Sequence, residues 1–164
     1  MATTSSLREA IWAYIEHEHR DLVRGINQLH EVACEVGHRA TPDLSTDVVG
    51  VLRWFETTLE PHMAWEEVML YPEIDKRAGT PWATRAARFD HQQIREAMAG
   101  VRLGHRELAD HRAIDPQADV RCRMFGLEAL LRAHVEHEER FLIPELNEDL
   151  HVTRLEAARS GGFV

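Results

Sequence analysis

The sequence predicts an all-α fold, an up-down-up-down four-helix bundle built from two pseudo-two-fold-related helical hairpins. Three observations predict it. Glycine and proline punctuate the 164 residues mainly near 37–42, 79–81 and 114–116, and the four long stretches between are rich in Ala, Leu, Glu and Arg, which favour helix. Apolar residues in each stretch recur in steps of 3 and 4, the spacing of a bundle seam. The second half of the chain repeats the first at an offset of 72 residues. Short connections make consecutive helices antiparallel neighbours, and no stretch shows the alternation of a strand.

The first helix is expected over about 5–36, with the seam Ile11, Ile15, His19, Leu22, Ile26, Leu29, Ala33 and Val36. The second, over 43–77, carries Val48, Leu52, Phe55, Leu59, His62, Glu66 and Met69. Pro61 falls inside it and removes a backbone hydrogen bond, which predicts a kink. The third, over 81–112, carries Ala87, His91, Ile94, Met98, Val101, His105 and Leu108. The fourth, over 116–147, carries Val120, Met124, Leu127, Leu131, His134, Glu138 and Phe141. Pro72 and Pro144 mark a bend or a last turn. One bundle domain is expected over 1–147, and 148–164 is read as a tail holding a short helix at most.

Composition removes several classes of function. A net charge of −9 argues against a nucleic-acid binder, which shows a basic face. No uncharged apolar run approaches the ~18 residues of a membrane span. Residues 1–7 lack the basic start and apolar core of a signal peptide, so a cytoplasmic location is expected. Two cysteines without CxxC spacing exclude a disulfide framework or thiolate zinc site, and both are read as small buried apolar groups. What remains conspicuous is 11 histidines, the commonest metal ligand and also a pH-sensitive group.

The repeat sorts those histidines. At the offset of 72, His19 maps to His91, His62 to His134, Glu66 to Glu138, Glu67 to Glu139 and Pro72 to Pro144. His62 and Glu66 are four apart, as are His134 and Glu138, so each pair is separated by only ~40° around its helix and shares one face. That face is the seam. Four imidazoles and two carboxylates therefore converge on the bundle interior, and no Lys or Arg occupies the seams to neutralise them. A lone HxxxE is usually a surface pair; two at a matched offset, on seam positions, are not explained that way. Burying unpaired carboxylates costs several kcal/mol, and a metal ion removes the conflict. Six donors are too many for one tetrahedral ion and fit two ions bridged by carboxylates. Mixed imidazole and carboxylate donors suit iron better than zinc or calcium.

These residues resemble the hemerythrin-like family, the HHE cation-binding domains. The family pattern of one His, then HxxxE, then one His, then HxxxE stands here as His19, His62 with Glu66, His91, and His134 with Glu138. The EE after each motif and the proline ten residues after each HxxxE histidine are similar too, and the resemblance covers about 7–147. It implies two iron ions with an oxo, hydroxo or water bridge, terminal histidines, and bridging Glu66 and Glu138. The respiratory oxygen carriers of the family place two histidines four apart on the third helix, whereas His91 is followed by Arg95. Fewer nitrogen donors favour redox chemistry with oxygen, peroxide or nitric oxide. The resemblance thus implies a small diatomic or peroxide ligand, with reversible binding or iron and redox sensing as the alternative to a diiron oxidoreductase. It identifies no protein partner.

Other polar residues take lesser readings. His137 is placed outside the ligand set, with a seventh ligand as the alternative. Glu67 and Glu139, ~140° from their histidines, are placed around the site or at the surface. His17 faces out, His30 and His105 cap the far end of the bundle, and His38, His111 and His151 are loop or surface residues. Trp12, Tyr14, Trp54 and Trp65 are read chiefly as packing.

Overall fold

The structure is a computed structural model that describes residues 4–38, 41–110 and 114–146. Their helices form four rods. The first is α1 (Thr4–Glu35). The second runs from α2 (Thr41–Trp54) through a π-helical turn at Phe55–Leu59, α3 (Glu60–Trp65), a second π-turn at Glu66–Leu70, and α4 (Tyr71–Ala78). The third is α5 (Arg85–Asp110). The fourth is α6 (Pro116–His137), continued by a third π-turn at Glu138–Leu142 and a 3-10 turn at Ile143–Leu146. No strand occurs among the described residues. α1 packs against α2 and α6, and α5 packs against the same two, closing a four-rod bundle. None of these helices is long and apolar enough to cross a membrane. The tail at 148–164 lies outside the described residues, as do His111 and His151.

Local chemistry sets the ends. Gly79, in the left-handed region at φ 67°, ends α4, a conformation that costs glycine nothing. Asp75 then accepts hydrogen bonds from the backbone N–H and the hydroxyl of buried Thr84. That pins 79–84 as a turn, so the third rod begins at Arg85 rather than at 81. Asp115 caps α6 by accepting from the Ala118 N–H, with Pro116 in the first turn, where its missing donor costs nothing.

The three π-turns have a common cause. Each ends two residues before a proline: Pro61, Pro72 and Pro144. A proline cannot bond the carbonyl four residues back, and its ring crowds that carbonyl. In the wider winding the residue before the proline donates five back instead: Glu60 to Phe55, Tyr71 to Glu66, and Ile143 to Glu138. The rod therefore stays helical through Pro61. The extra residue also shifts the seam. Met69 and Phe141, expected inside, are 59% and 64% exposed, while Leu70 and Leu142 take their places in the core.

The core is two apolar clusters. The larger contains Leu22, Ile26, Leu59, Met63, Ile94 and Leu131. The smaller contains Ile15, Leu70, Tyr71, Ala87 and Leu142. Along the first and third rods the change from one cluster to the other falls at His19 and His91; along the second and fourth it falls at Glu66 and Glu138, one turn past His62 and His134. α1 approaches the second rod closely at Gly25, where an added Cβ would collide with the Trp54 indole.

Candidate metal centre

All six residues singled out by the repeat meet in the layer between the clusters. Each is at most 3% exposed, and Glu66, His91 and Glu138 are fully buried. They form two overlapping groups whose donor atoms lie within 4.8 Å of one another: His19, His62, Glu66 and Glu138, and Glu66, His91, His134 and Glu138. The carboxylates belong to both groups. Glu66 presents Oε1 to His62 Nε2 at 2.9 Å and Oε2 to His91 Nε2 at 3.1 Å. Glu138 presents Oε2 to His19 Nε2 at 3.4 Å and to His134 Nε2 at 3.6 Å.

Close approach here is not hydrogen bonding. His19 Nε2, His62 Nε2, both oxygens of Glu66 and Oε2 of Glu138 are buried without a hydrogen-bond partner among the described residues. Orphaned buried polar atoms each cost about 1–3 kcal/mol or more. Five converging on one point, all imidazole nitrogen or carboxylate oxygen, are what a pair of cations requires. The donor set fits a binuclear metal site.

A family model described as the hemerythrin HHE cation binding domain matches residues 10–149. The chain belongs to this hemerythrin family. No curated protein and no solved structure matches it.

Around the hemerythrin centre stands a ring of acids, and the ring obeys the repeat. Glu139 faces His19 Nδ1 at 3.2 Å and Glu67 faces His91 Nδ1 at 2.8 Å. Glu18 lies 3.7 Å from His62 Nδ1, and Asp90 lies 3.8 Å from His134 Nδ1. Both pairs map onto each other at the offset of 72. At His19 and His91 the carboxylate bonds Nδ1, which fixes the ring and leaves Nε2 to face inward; at His62 and His134 the acid is near, but Nδ1 has no hydrogen-bond partner among the described residues. Glu67 is held in turn by Arg95 at 2.8 Å; burial pushes its pKa up, but the hydrogen bonds of Arg95 and His91 outweigh that and hold it below the usual carboxylate range. Glu18 and Asp90 escaped the sequence reading, although each stands immediately before a seam histidine.

Tyr71 also escaped it. Its hydroxyl donates to Glu138 Oε1 at 2.5 Å and lies 3.0 Å from His91 Nε2. Burial, then the charges of Glu66 and Glu138, raise its pKa, so the hydroxyl keeps its proton and remains a donor. Its repeat-mate is Ile143, so the two halves of the centre differ at this point.

Three further histidines have partners outside the centre. His137 Nδ1 bonds Asp90 at 3.1 Å and stays outside both donor groups. His105 bonds Ser45 across to α2. His30 is half-exposed rather than a cap and bonds Glu128. Cys34 and Cys122, expected inside, are both exposed. Trp65 packs against the smaller cluster and Trp54 against the larger; the side chains of Trp12 and Tyr14 lie outside the described residues.

Without metal the centre carries protons. Burial disfavours a charged ring, yet contacts with Glu138 and Glu66 outweigh it and raise His19 from 6.5 to about 10. His91 is raised as well, against burial, by Glu66 and Glu67. His134 goes the other way, to about 4: burial dominates, and the neighbouring His91 charge adds to it against the attraction of Glu138. His91 Nε2 and His134 Nε2 are 3.1 Å apart, so one shared proton there is all the geometry accepts.

Proposed function

We propose that this hemerythrin domain holds two iron ions through His19, His62, Glu66, His91, His134 and Glu138, and that it binds and reacts with a small oxidant: dioxygen, a peroxide or nitric oxide. The observation that carries this reading is the sharing of Glu66 and Glu138 between two buried four-donor groups. Iron supports it as the ion suited to mixed imidazole and carboxylate donors that leave coordination positions open. When bound, the ions would supply one- and two-electron chemistry to the small molecule.

The chain's own residues would do the rest. Glu139 and Glu67 orient His19 and His91, Glu18 and Asp90 place negative charge beside His62 and His134, and Tyr71 fixes one oxygen of Glu138. The apolar clusters on either side keep bulk water from the layer, which limits loss of reactive species. Access is available at one edge, where a surface cavity of about 410 Å³ is lined by His19, Arg20, Val23 and Glu139.

Metal analysis joined to an optical spectrum before and after peroxide tests the proposal. About two irons per chain are expected, with a charge-transfer spectrum that peroxide changes. Iron near zero after reconstitution with ferrous salt would sink it. Multiple turnovers of peroxide, lost in His62→Ala and Glu138→Ala, would identify a diiron oxidoreductase.

A second reading, reversible binding or iron and redox sensing, has its own support. All four rods contribute donors, so occupancy would be coupled to how the rods hold together. It predicts that limited proteolysis cuts the metal-free chain where the loaded chain is protected; identical patterns would count against it.

A further inference from the structure

α1 carries a second chemical constellation, well away from the metal layer. His30 is eleven residues beyond His19, ~16 Å along the helix at ~1.5 Å per residue. Its Nδ1 lies 2.8 Å from Glu128 Oε2 on α6, and its Nε2 lies 3.5 Å from the sulfur of Cys34. Glu128 is itself held by Arg132 Nε at 2.8 Å, and Arg132 also donates to Asn27 at 3.0 Å. The ring of Phe125 packs edge-on against the imidazole at 5.7 Å. The imidazole is thus fixed from two sides.

That arrangement decides the tautomer. Burial pushes the Glu128 carboxyl up, but the hydrogen bonds of Arg132 and His30 outweigh it and hold its pKa below the usual range. A carboxylate only accepts hydrogen bonds, so the proton of a neutral His30 sits on Nδ1. The Nε2 lone pair then faces Cys34. Nucleophile, base and orienting acid stand in the order that activates a thiol. Cys34 and His30 also line a cavity of about 500 Å³, together with the carboxylates Glu31, Glu35 and Asp47. Cys122 is exposed as well and serves as the internal comparison.

We propose that Cys34 is a reactive thiol, activated by His30 with Glu128 as its positioning residue, and that it is oxidised by small uncharged hydroperoxides. The thiol proton passes to His30 Nε2 and the sulfur attacks one peroxide oxygen. The O–O bond breaks, and the departing oxygen takes the proton and leaves as water or an alcohol. Sulfur becomes a sulfenic acid, oxidised by two electrons, and the peroxide is reduced by two. The acidic wall of the cavity disfavours anionic reagents. None of this rests on the metal centre.

The test compares the two cysteines within the full-length protein. With iodoacetamide at pH 7, mass spectrometry of the proteolysed protein should show Cys34 alkylated at least about tenfold faster than Cys122, a floor below the ~10²–10⁴-fold that a well-placed general base supplies. His30→Gln should bring Cys34 down to the rate of Cys122, and Glu128→Gln should lower it in part. Anionic iodoacetate should lose much of the Cys34 preference. Dilute hydrogen peroxide with dimedone should label Cys34 ahead of Cys122. Equal rates for the two cysteines, or an unchanged Cys34 rate in His30→Gln, overturn the proposal.

Discussion

Glu67 accepts a hydrogen bond from Nδ1 of His91 at 2.8 Å, although the two stand on different hairpins. The pair turns Nε2 of His91 toward Glu66. Glu67→Gln keeps the shape but loses the charge. It is expected to weaken metal binding by about 10–100-fold, the usual effect of losing such a partner. Glu139→Gln should cost less, because Glu139 is 56% exposed and water already screens it. Competition with a chelator, read as released metal, checks both.

Metal uptake should release protons. In the metal-free centre His19 is held up to about 10, so at pH 8 its ring is charged, and a metal needs its lone pair. Raising the pH therefore favours binding, by about tenfold per pH unit for each proton expelled. Folding responds in the opposite sense. The raised pKa stabilises the metal-free chain fully below about 6.5, and that contribution is lost as the pH rises through 10. Proton release into a weak buffer during loading, and urea titrations of the metal-free chain from pH 6 to 10, give the two measurements.

Tyr71→Phe removes the hydroxyl that donates to Glu138. In the metal-free chain a buried carboxylate oxygen then loses its donor, which should cost about 2 kcal/mol. Once metal is bound the loss should be smaller. Urea titrations of both forms compare them; an equal loss in the two would show that the hydroxyl acts through packing rather than through Glu138.

Gly25→Ala tests the closest approach of two rods. The new methyl would collide with the Trp54 side chain, and the strain should cost about 1–3 kcal/mol. Trp54 fluorescence during denaturation reads both the loss and any displacement of the indole.

Much of this was legible because seam position and donor chemistry coincide. His19, His62, Glu66, His91, His134 and Glu138 lie at seam steps and are also polar, so periodicity alone aims them at one another. The sequence hid what depends on winding. Met69 and Phe141 are three residues past a seam glutamate and read as core, but the π-turn forced by the following proline gives that place to Leu70 and Leu142. Tyr71 was missed for the same reason, since its inward aim follows only from the shifted register. Glu18 and Asp90 were visible as acids beside histidines, but adjacent residues point ~100° apart on a helix, and only packing between rods brings each acid to the other histidine of its own hairpin. His30 and Cys34 stand on α1 and Glu128 on α6, and only the packing of those two rods brings them together.

The sharing of Glu66 and Glu138 has a consequence for assembly. Each hairpin brings three donors to its own group: His19, His62 and Glu66 from the first half, and His91, His134 and Glu138 from the second. The fourth is lent by the other half, and Glu67 and Glu139 likewise reach across to His91 and His19. Neither half can complete its group alone. A full set of donors is therefore a certificate of correct docking: it exists only after both hairpins have met in register, and a slip of one helical turn would leave both groups short at once.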